Sequence, residues 1–212
     1  MTPLPRLLAI TDLGVLSFGP LLTRLSDLAH AAPPGTVGLM LRDHAASGLA
    51  RLELGHELKA IARSAEQQLW VADRLDLALL LAADVLHLGE VSVSAVAARQ
   101  LWGAERRISR AWHAAALAQG DMEAELAGVD ALVVSPVLAA RKGRPALGLA
   151  AVEALGSQLR ARNQAYPLYA LGGVSAENAA ACLAAGATGV AAIGAALSED
   201  PRALLDALGV LR

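Results

Sequence analysis

The chain has 212 residues, a net charge of −2, and 55% hydrophobic but only 3% aromatic residues. That length suits one domain, 1–212, with a sizeable core that Ala, Leu and Val must fill. A charge so near zero, without a long Lys/Arg run, argues against nucleic acid or an anionic membrane as partner, and a single cysteine, Cys182, excludes an internal disulfide or a multi-cysteine metal site.

The opening residues, Met-Thr-Pro-Leu-Pro-Arg-Leu-Leu, lack the charged, apolar and cleavage regions of a signal peptide. Leu7 to Thr11 is then a short apolar run ending at Asp12, the mark of a buried strand. Leu21 to Ala32 has helical period and is stopped by Pro33-Pro34-Gly35. Thr36 to Leu41 is the second strand, with Arg42, Asp43 and His44 at its C-terminal end. Ala50 to Gln67, rich in Ala, Leu, Glu and Lys, is helical. Leu69 to Ala72 is a third strand, and Asp73 opens a helix that runs through Ala83.

Asp84 to Leu88 is a fourth strand, with Gly89 and Glu90 at its end, and Ser94 to Trp102 is helical. Arg107 to Ala111 is a poorer fifth strand, ending at Trp112-His113. Ala114 to Ala127 is an Ala-rich helix, and Ala131 to Val134 with Ser135 forms the sixth strand. A loop from Pro136 to Gly148, rich in Arg, Lys, Gly and Pro, leads to a helix over Leu149–Gln164. Tyr166–Leu171 and Gly189–Ile193 are strands seven and eight, separated by a helix that carries Cys182. Pro201 to Leu208 closes the chain. The uncharged stretch Ala179–Leu197 is long enough to span a bilayer, but Gly186 splits it into helix and strand, so it reads as the buried end of a cytoplasmic fold. Strands alternating with helices mean a parallel sheet with crossover helices, and eight such units close as a single (β/α)8 barrel.

In that architecture the active site lies at the C-terminal strand ends, and the loops after the last two strands are the usual phosphate site. Tyr169-Ala-Leu-Gly-Gly-Val-Ser175 and Gly186-Ala-Thr-Gly-Val-Ala-Ala-Ile-Gly194 supply both loops. Gly172, Gly173 and Gly194 let backbone amides approach an anion beside a helix N-terminus, although ordinary turns also use such glycines. The other strand ends gather Arg42, Asp73, Glu90, His113, Arg141 and Lys142, a basic set suited to a phosphorylated substrate. His113, just past a strand end, is the acid/base candidate, since histidine titrates near neutrality. His87, between leucines, reads instead as a hydrogen-bonded core residue. Asp73 has a second reading as the cap of its helix, and Arg42 as a salt-bridge partner.

Leu8-Ala-Ile-Thr-Asp12, Ala72-Asp-Arg-Leu-Asp-Leu-Ala78, Ala83-Asp-Val-Leu-His-Leu-Gly89, Ser135-Pro-Val137, Arg144-Pro-Ala-Leu-Gly-Leu149 and Ala170-Leu-Gly-Gly-Val174 follow one another along nearly the whole chain. In these motifs the chain resembles the thiamin-phosphate synthase and thiazole tautomerase family of (β/α)8 barrels. The resemblance implies one of two activities. The synthase joins a pyrimidine pyrophosphate to a thiazole phosphate, with Mg²⁺ held by two acidic residues. Asp73 matches one; Ser92 stands at the other, with Glu90 two residues earlier. The family's Arg-x-Lys reads Arg42-Asp43-His44, its Asn before Asp73 is Ala72, and Ala111 and Ala140 replace a serine and a threonine.

Those departures fall on the diphosphate side, while the phosphate glycines and His113 match. The first reading is therefore a metal-independent proton shift on a thiazole phosphate, with His113 as acid/base and Arg42, His44 and Lys142 as substrate contacts. The alternative is the Mg²⁺-dependent synthase, with Asp73 and Glu90 on the metal. A third is a non-catalytic phosphate-ligand-binding barrel. A homodimer is the expected assembly.

Overall fold

The computed structural model describes residues 3–113, 122–141, 143–198 and 200–212. Eight parallel strands close on themselves in chain order: β1 (Leu7–Ile10), β2 (Val37–Leu41), β3 (Gln68–Ala72), β4 (Val85–Leu88), β5 (Arg107–Trp112), β6 (Ala131–Val134), β7 (Leu168–Leu171) and β8 (Gly189–Ala192), with β8 pairing back onto β1. The described helices are α1 (Phe18–His30), α2 (Gly48–Ser64), α3 (Leu75–Leu80), α4 (Ala95–Trp102), α5 (Met122–Leu126), α6 (Leu149–Ala161), α7 (Ala176–Ala184) and α8 (Arg202–Ala207). The fold is the (β/α)8 barrel that the alternation predicts.

The longer helices α1, α2 and α6 close the outer shell through apolar stripes. On α1, Leu21, Leu25 and Leu28 recur at helical spacing and are wholly buried against the sheet, each contributing about 1.5–3 kcal/mol relative to exposure. The inner shell is separate: Leu8, Ile10, Met40, Trp70, Ala72, Val85, Ala131, Val133, Tyr169 and Ala191 fill the barrel itself. Its lower end is plugged by Trp70 and Tyr169, packed edge to face at 5.7 Å. Two glycines make room: a Cβ on Gly38 would lie 2.7 Å from Leu8, and one on Gly189 only 2.4 Å from the Arg6 carbonyl. The residues before β1 seal this end, since Tyr169 donates to the Pro5 carbonyl at 2.6 Å and Gln68 to that of Pro3 at 2.7 Å. Toward the C-terminal end the inner positions shrink to Ala72 and Ala191, which leaves the mouth to polar residues.

Several boundaries differ from the sequence reading. β5 is the longest strand, six residues ending at Trp112, because its pairing with β4 and β6 outweighs its charged residues. β7 starts at Leu168, after Pro167. The helix expected to open on Asp73 begins at Leu75 instead. Of the helix expected over Ala114–Ala127, residues 114–121 lie outside the described ones and the remainder is α5. Cys182 is fully buried in α7, the small-hydrophobe role expected of it. Among the described residues no helix is long and apolar enough to cross a membrane.

Candidate active site

Asp73 leaves β3 in a left-handed conformation, φ +63°, which an L-residue other than Asn or Asp adopts only at a cost. The turn aims its carboxylate across to the end of β4 rather than into α3, so the helix-cap reading does not hold. Oδ1 accepts from the Gly89 amide at 2.8 Å and from the Ser92 hydroxyl at 2.5 Å. Gly89 allows this approach, because a Cβ would sit 2.8 Å from that oxygen and make the carboxylate shift. Oδ2 lies 3.7 Å from Nδ1 of His44. Burial by itself would raise the Asp73 pKa; the Ser92 and Gly89 hydrogen bonds, helped by His87 and His44, bring it below the ordinary value.

His87 points into the barrel from β4, where the register sets it beside Ser109, and its Nδ1 is 2.9 Å from the Ser109 hydroxyl. Burial, assisted by the positive charges of Arg42 and Arg110, lowers its pKa to about 4 despite nearby Asp73. It is a neutral, hydrogen-bonded core histidine at pH 7, as its leucine neighbours predict. Arg42 follows β2, its amide donating to the Thr11 hydroxyl at 3.0 Å. Next to it, Asp43 ties the first two strand ends together by accepting from the Leu13 amide at 2.6 Å.

Across the mouth, His113 follows β5. Its Nδ1 is 2.6 Å from the Ser135 carbonyl, an atom that only accepts, so Nδ1 carries the proton. Nε2 then faces Glu90, whose Oε2 lies 3.9 Å away. The same Oε2 accepts from Nη2 of Arg144 at 2.5 Å, and that hydrogen bond, with His113 nearby, holds the Glu90 carboxyl below its usual pKa. Arg144 is the functional candidate that the sequence reading passed over. Its partner is 54 residues away along the chain, and only the Arg-Pro motif hinted at the position.

The sixth loop is pinned rather than free. Val137 and Leu138 donate to the carbonyls of Leu171 and Gly172, both at 2.8 Å. Leu147 and Gly148 donate back to Pro136 and Val137, both at 2.9 Å, and Arg141 and Arg144 exchange two backbone bonds of 3.0 Å. Gly172 and Gly173 have φ of +105° and +75°. A Cβ on Gly173 would sit 2.7 Å from that of Ala139, so the loop rests directly on the glycine turn. Gly194, at the end of the neighbouring strand β8, opens onto empty space. Among the described residues no backbone carbonyl accepts from the amides of Gly172, Gly173 or Gly194. Lys142 lies outside the described residues.

The structure thus brings Asp73, His44, Arg42 and His87 to one wall, and His113, Glu90 and Arg144 to the other. The two carboxylates expected to share a metal have different partners. Glu90 is held by Arg144, and among the described residues no cluster of three or more His, Cys, Asp or Glu able to hold a metal forms. Asp73 Oδ2, with His44 Nδ1 3.7 Å away, is a carboxylate oxygen that could serve Mg²⁺, an ion bound through one or two carboxylates together with substrate phosphates.

The family model described as thiamine monophosphate synthase matches residues 9–196. The chain belongs to the thiamine monophosphate synthase family. It is 36% identical over 194 residues to a thiamine-phosphate synthase of Saccharopolyspora erythraea, covering 87% of this chain and 84% of that protein. A thiamine-phosphate synthase of Prochlorococcus marinus is 37% identical, and there the chain spans about half (47%) of the relative's length. Among solved structures, a thiamine phosphate pyrophosphorylase from Pyrococcus furiosus superposes with a TM-score of 0.77 at 23% identity, covering 96% of this chain and 95% of that one. That likeness shows the barrel.

Proposed function

We propose that this family member is an enzyme of thiamin-phosphate chemistry, and that its reaction is the synthase coupling of a pyrimidine pyrophosphate to a thiazole phosphate. The observation that carries the choice is the 36% identity, along most of both chains, with a protein named for that reaction. The relatives favour coupling over the proton shift that the sequence alone puts first. The mouth is compatible with it. The amides of Gly172, Gly173 and Gly194, which meet no backbone carbonyl among the described residues, suit the monophosphate, beside α7, whose entry is fixed by the Ser175 amide donating to Asn178 Oδ1 at 2.9 Å. Arg42 and Arg144 suit the diphosphate, with Lys142 as a further contact, and His44 stands at the Asp73 carboxylate. Asp73 would hold Mg²⁺, which when bound neutralises charge building on the departing diphosphate. His113, whose Nδ1–H donates to the Ser135 carbonyl, would use Nε2 toward the ligand, beside Glu90.

One observation favours the second reading, the tautomerase. Ser92 in place of an acid, together with Glu90 held by Arg144, leaves Asp73 alone of the expected pair open to a metal, whereas a proton shift at His113, whose Nδ1 donates to the Ser135 carbonyl and leaves Nε2 as the basic nitrogen, needs none. The expected result is thiamin phosphate formation from the two substrates in Mg²⁺, abolished by a chelator. A thiazole tautomer conversion that persists in chelator and disappears in His113→Ala would establish the proton shift instead. Thermal stabilisation by the thiazole phosphate with neither activity detectable would overturn both and leave a binding protein.

A further inference from the structure

We infer that Glu90 is a positioning residue whose task is to hold the Arg144 guanidinium over the mouth, beside His113, as a contact for the diphosphate end of the substrate. The inference deepens the proposed coupling and rests on it. Glu90 and Arg144 sit on different loops, after β4 and β6, and meet through Oε2 and Nη2 at 2.5 Å. Both are about half exposed, 47% and 44%, and an ion pair that open adds little to stability. Folding therefore gives no reason for the contact, whereas ligand binding does. Oε2 engages one nitrogen of a group with five N–H donors in a rigid fork, so the remaining donors stay available to an anion. The sixth loop is already fixed at its base to Leu171 and Gly172, and its two arginines are clasped by the Arg141–Arg144 bridge. The Arg144 side chain is what remains to be oriented, and Glu90 orients it before a ligand arrives.

Simple charge bookkeeping predicts the opposite sign. Glu90 is negative, and removing it from a site for anions ought to strengthen their binding. Titration calorimetry with inorganic pyrophosphate separates the two. Pyrophosphate is expected to bind the full chain, Arg144→Ala to weaken it about tenfold, and Glu90→Ala about fivefold although a like charge has been removed. Glu90→Gln, whose amide oxygen can still accept from Arg144, should recover most of that loss. In the Arg144→Ala background Glu90→Ala should cost nothing further, because Glu90 acts through Arg144. All variants should melt within about 2 °C of the parent, consistent with the small worth of an exposed pair. Tighter pyrophosphate binding by Glu90→Ala, or the same loss with and without Arg144, overturns the inference while leaving the coupling reaction standing. Failure of the parent chain to bind pyrophosphate, with no thiamin phosphate formed, overturns the proposed reaction and this inference with it.

Discussion

Gly173 and Gly194 look alike in the sequence and are held to glycine by different forces. Gly173 has φ +75° and faces Ala139, whose Cβ and amide nitrogen would lie 2.7 and 2.8 Å from an added methyl group. Gly194 has neither a left-handed φ nor any heavy atom within 4 Å of an added Cβ. Gly173→Ala should therefore destabilise the fold by about 2–4 kcal/mol, combining the left-handed penalty with overpacking. Gly194→Ala should change stability by less than about 0.5 kcal/mol. If Gly194 lines the phosphate cradle, its methyl group will still weaken binding of a thiazole phosphate at least tenfold. Urea denaturation read beside ligand titration checks both, and unchanged affinity in Gly194→Ala would remove that residue from the cradle. Asp73 belongs at the same scale. Its left-handed backbone, a conformation that aspartate tolerates better than most residues, turns the side chain toward β4, and Gly89, by lacking a Cβ, lets the carboxylate settle where it does.

At the scale of elements, the inner layers show why barrel strands are easy to find and hard to orient. Parallel strands buried on both faces read as continuous apolar runs, so Leu69-Trp70-Val71 declares a strand without saying which side chain enters the barrel. The structure answers through volume: Trp70 and Tyr169 fill the lower end, and Gly38 and Gly189 accommodate them. Gly189→Ala would press its methyl group 2.4 Å from a backbone carbonyl and 2.8 Å from the Tyr169 ring. A cost of about 3 kcal/mol or more is expected, because neither neighbour can move aside. Gly38→Ala meets the end of the Leu8 side chain first, a group able to shift, and about 1–2 kcal/mol is expected. Equal losses in the two variants would contradict this layering. What the sequence could not convey is contact between distant loops. Strand ends at Arg42, Asp73 and Glu90 are visible because polarity follows an apolar run, and His113 because the regular strand–helix alternation places it at the end of the poorer fifth strand. The Glu90–Arg144 pair, the sixth loop resting on Gly172 and Gly173, and the turn that directs Asp73 toward Gly89 all depend on tertiary closure. Ser92 carries the same lesson: read as a lost acid, it proves to be the hydroxyl that donates to Asp73.

For the whole molecule the consequence is a stability that falls in mild acid, well above the pH at which carboxylates titrate. His87 has its pKa lowered to about 4 by burial, against 6.5 for the free side chain. Between these values the unfolded chain binds a proton that the folded chain does not, so stability rises with pH across that interval. Below about pH 4 both states are protonated at this residue and its slope vanishes. Asp73 acts lower: its folded pKa lies beneath the ordinary 3.8, so the stability that it contributes is present above that value and is lost as pH falls through its folded pKa. The two windows are separate, and between pH 7 and pH 5 His87 is the relevant group of the pair. The linkage relation gives a loss of about 2 kcal/mol over those two pH units from this one side chain. His87→Asn preserves a partner for the Ser109 hydroxyl and removes the titration. Its absolute stability will be lower, because the ring leaves a gap beside Ser109, but its change between pH 7 and pH 5 should be smaller than the parent's by about that amount. Identical pH dependence in the two proteins, measured by urea denaturation, would mean that the buried imidazole is readily protonated in the folded barrel. The neutral histidine beneath the candidate site would then have to be abandoned.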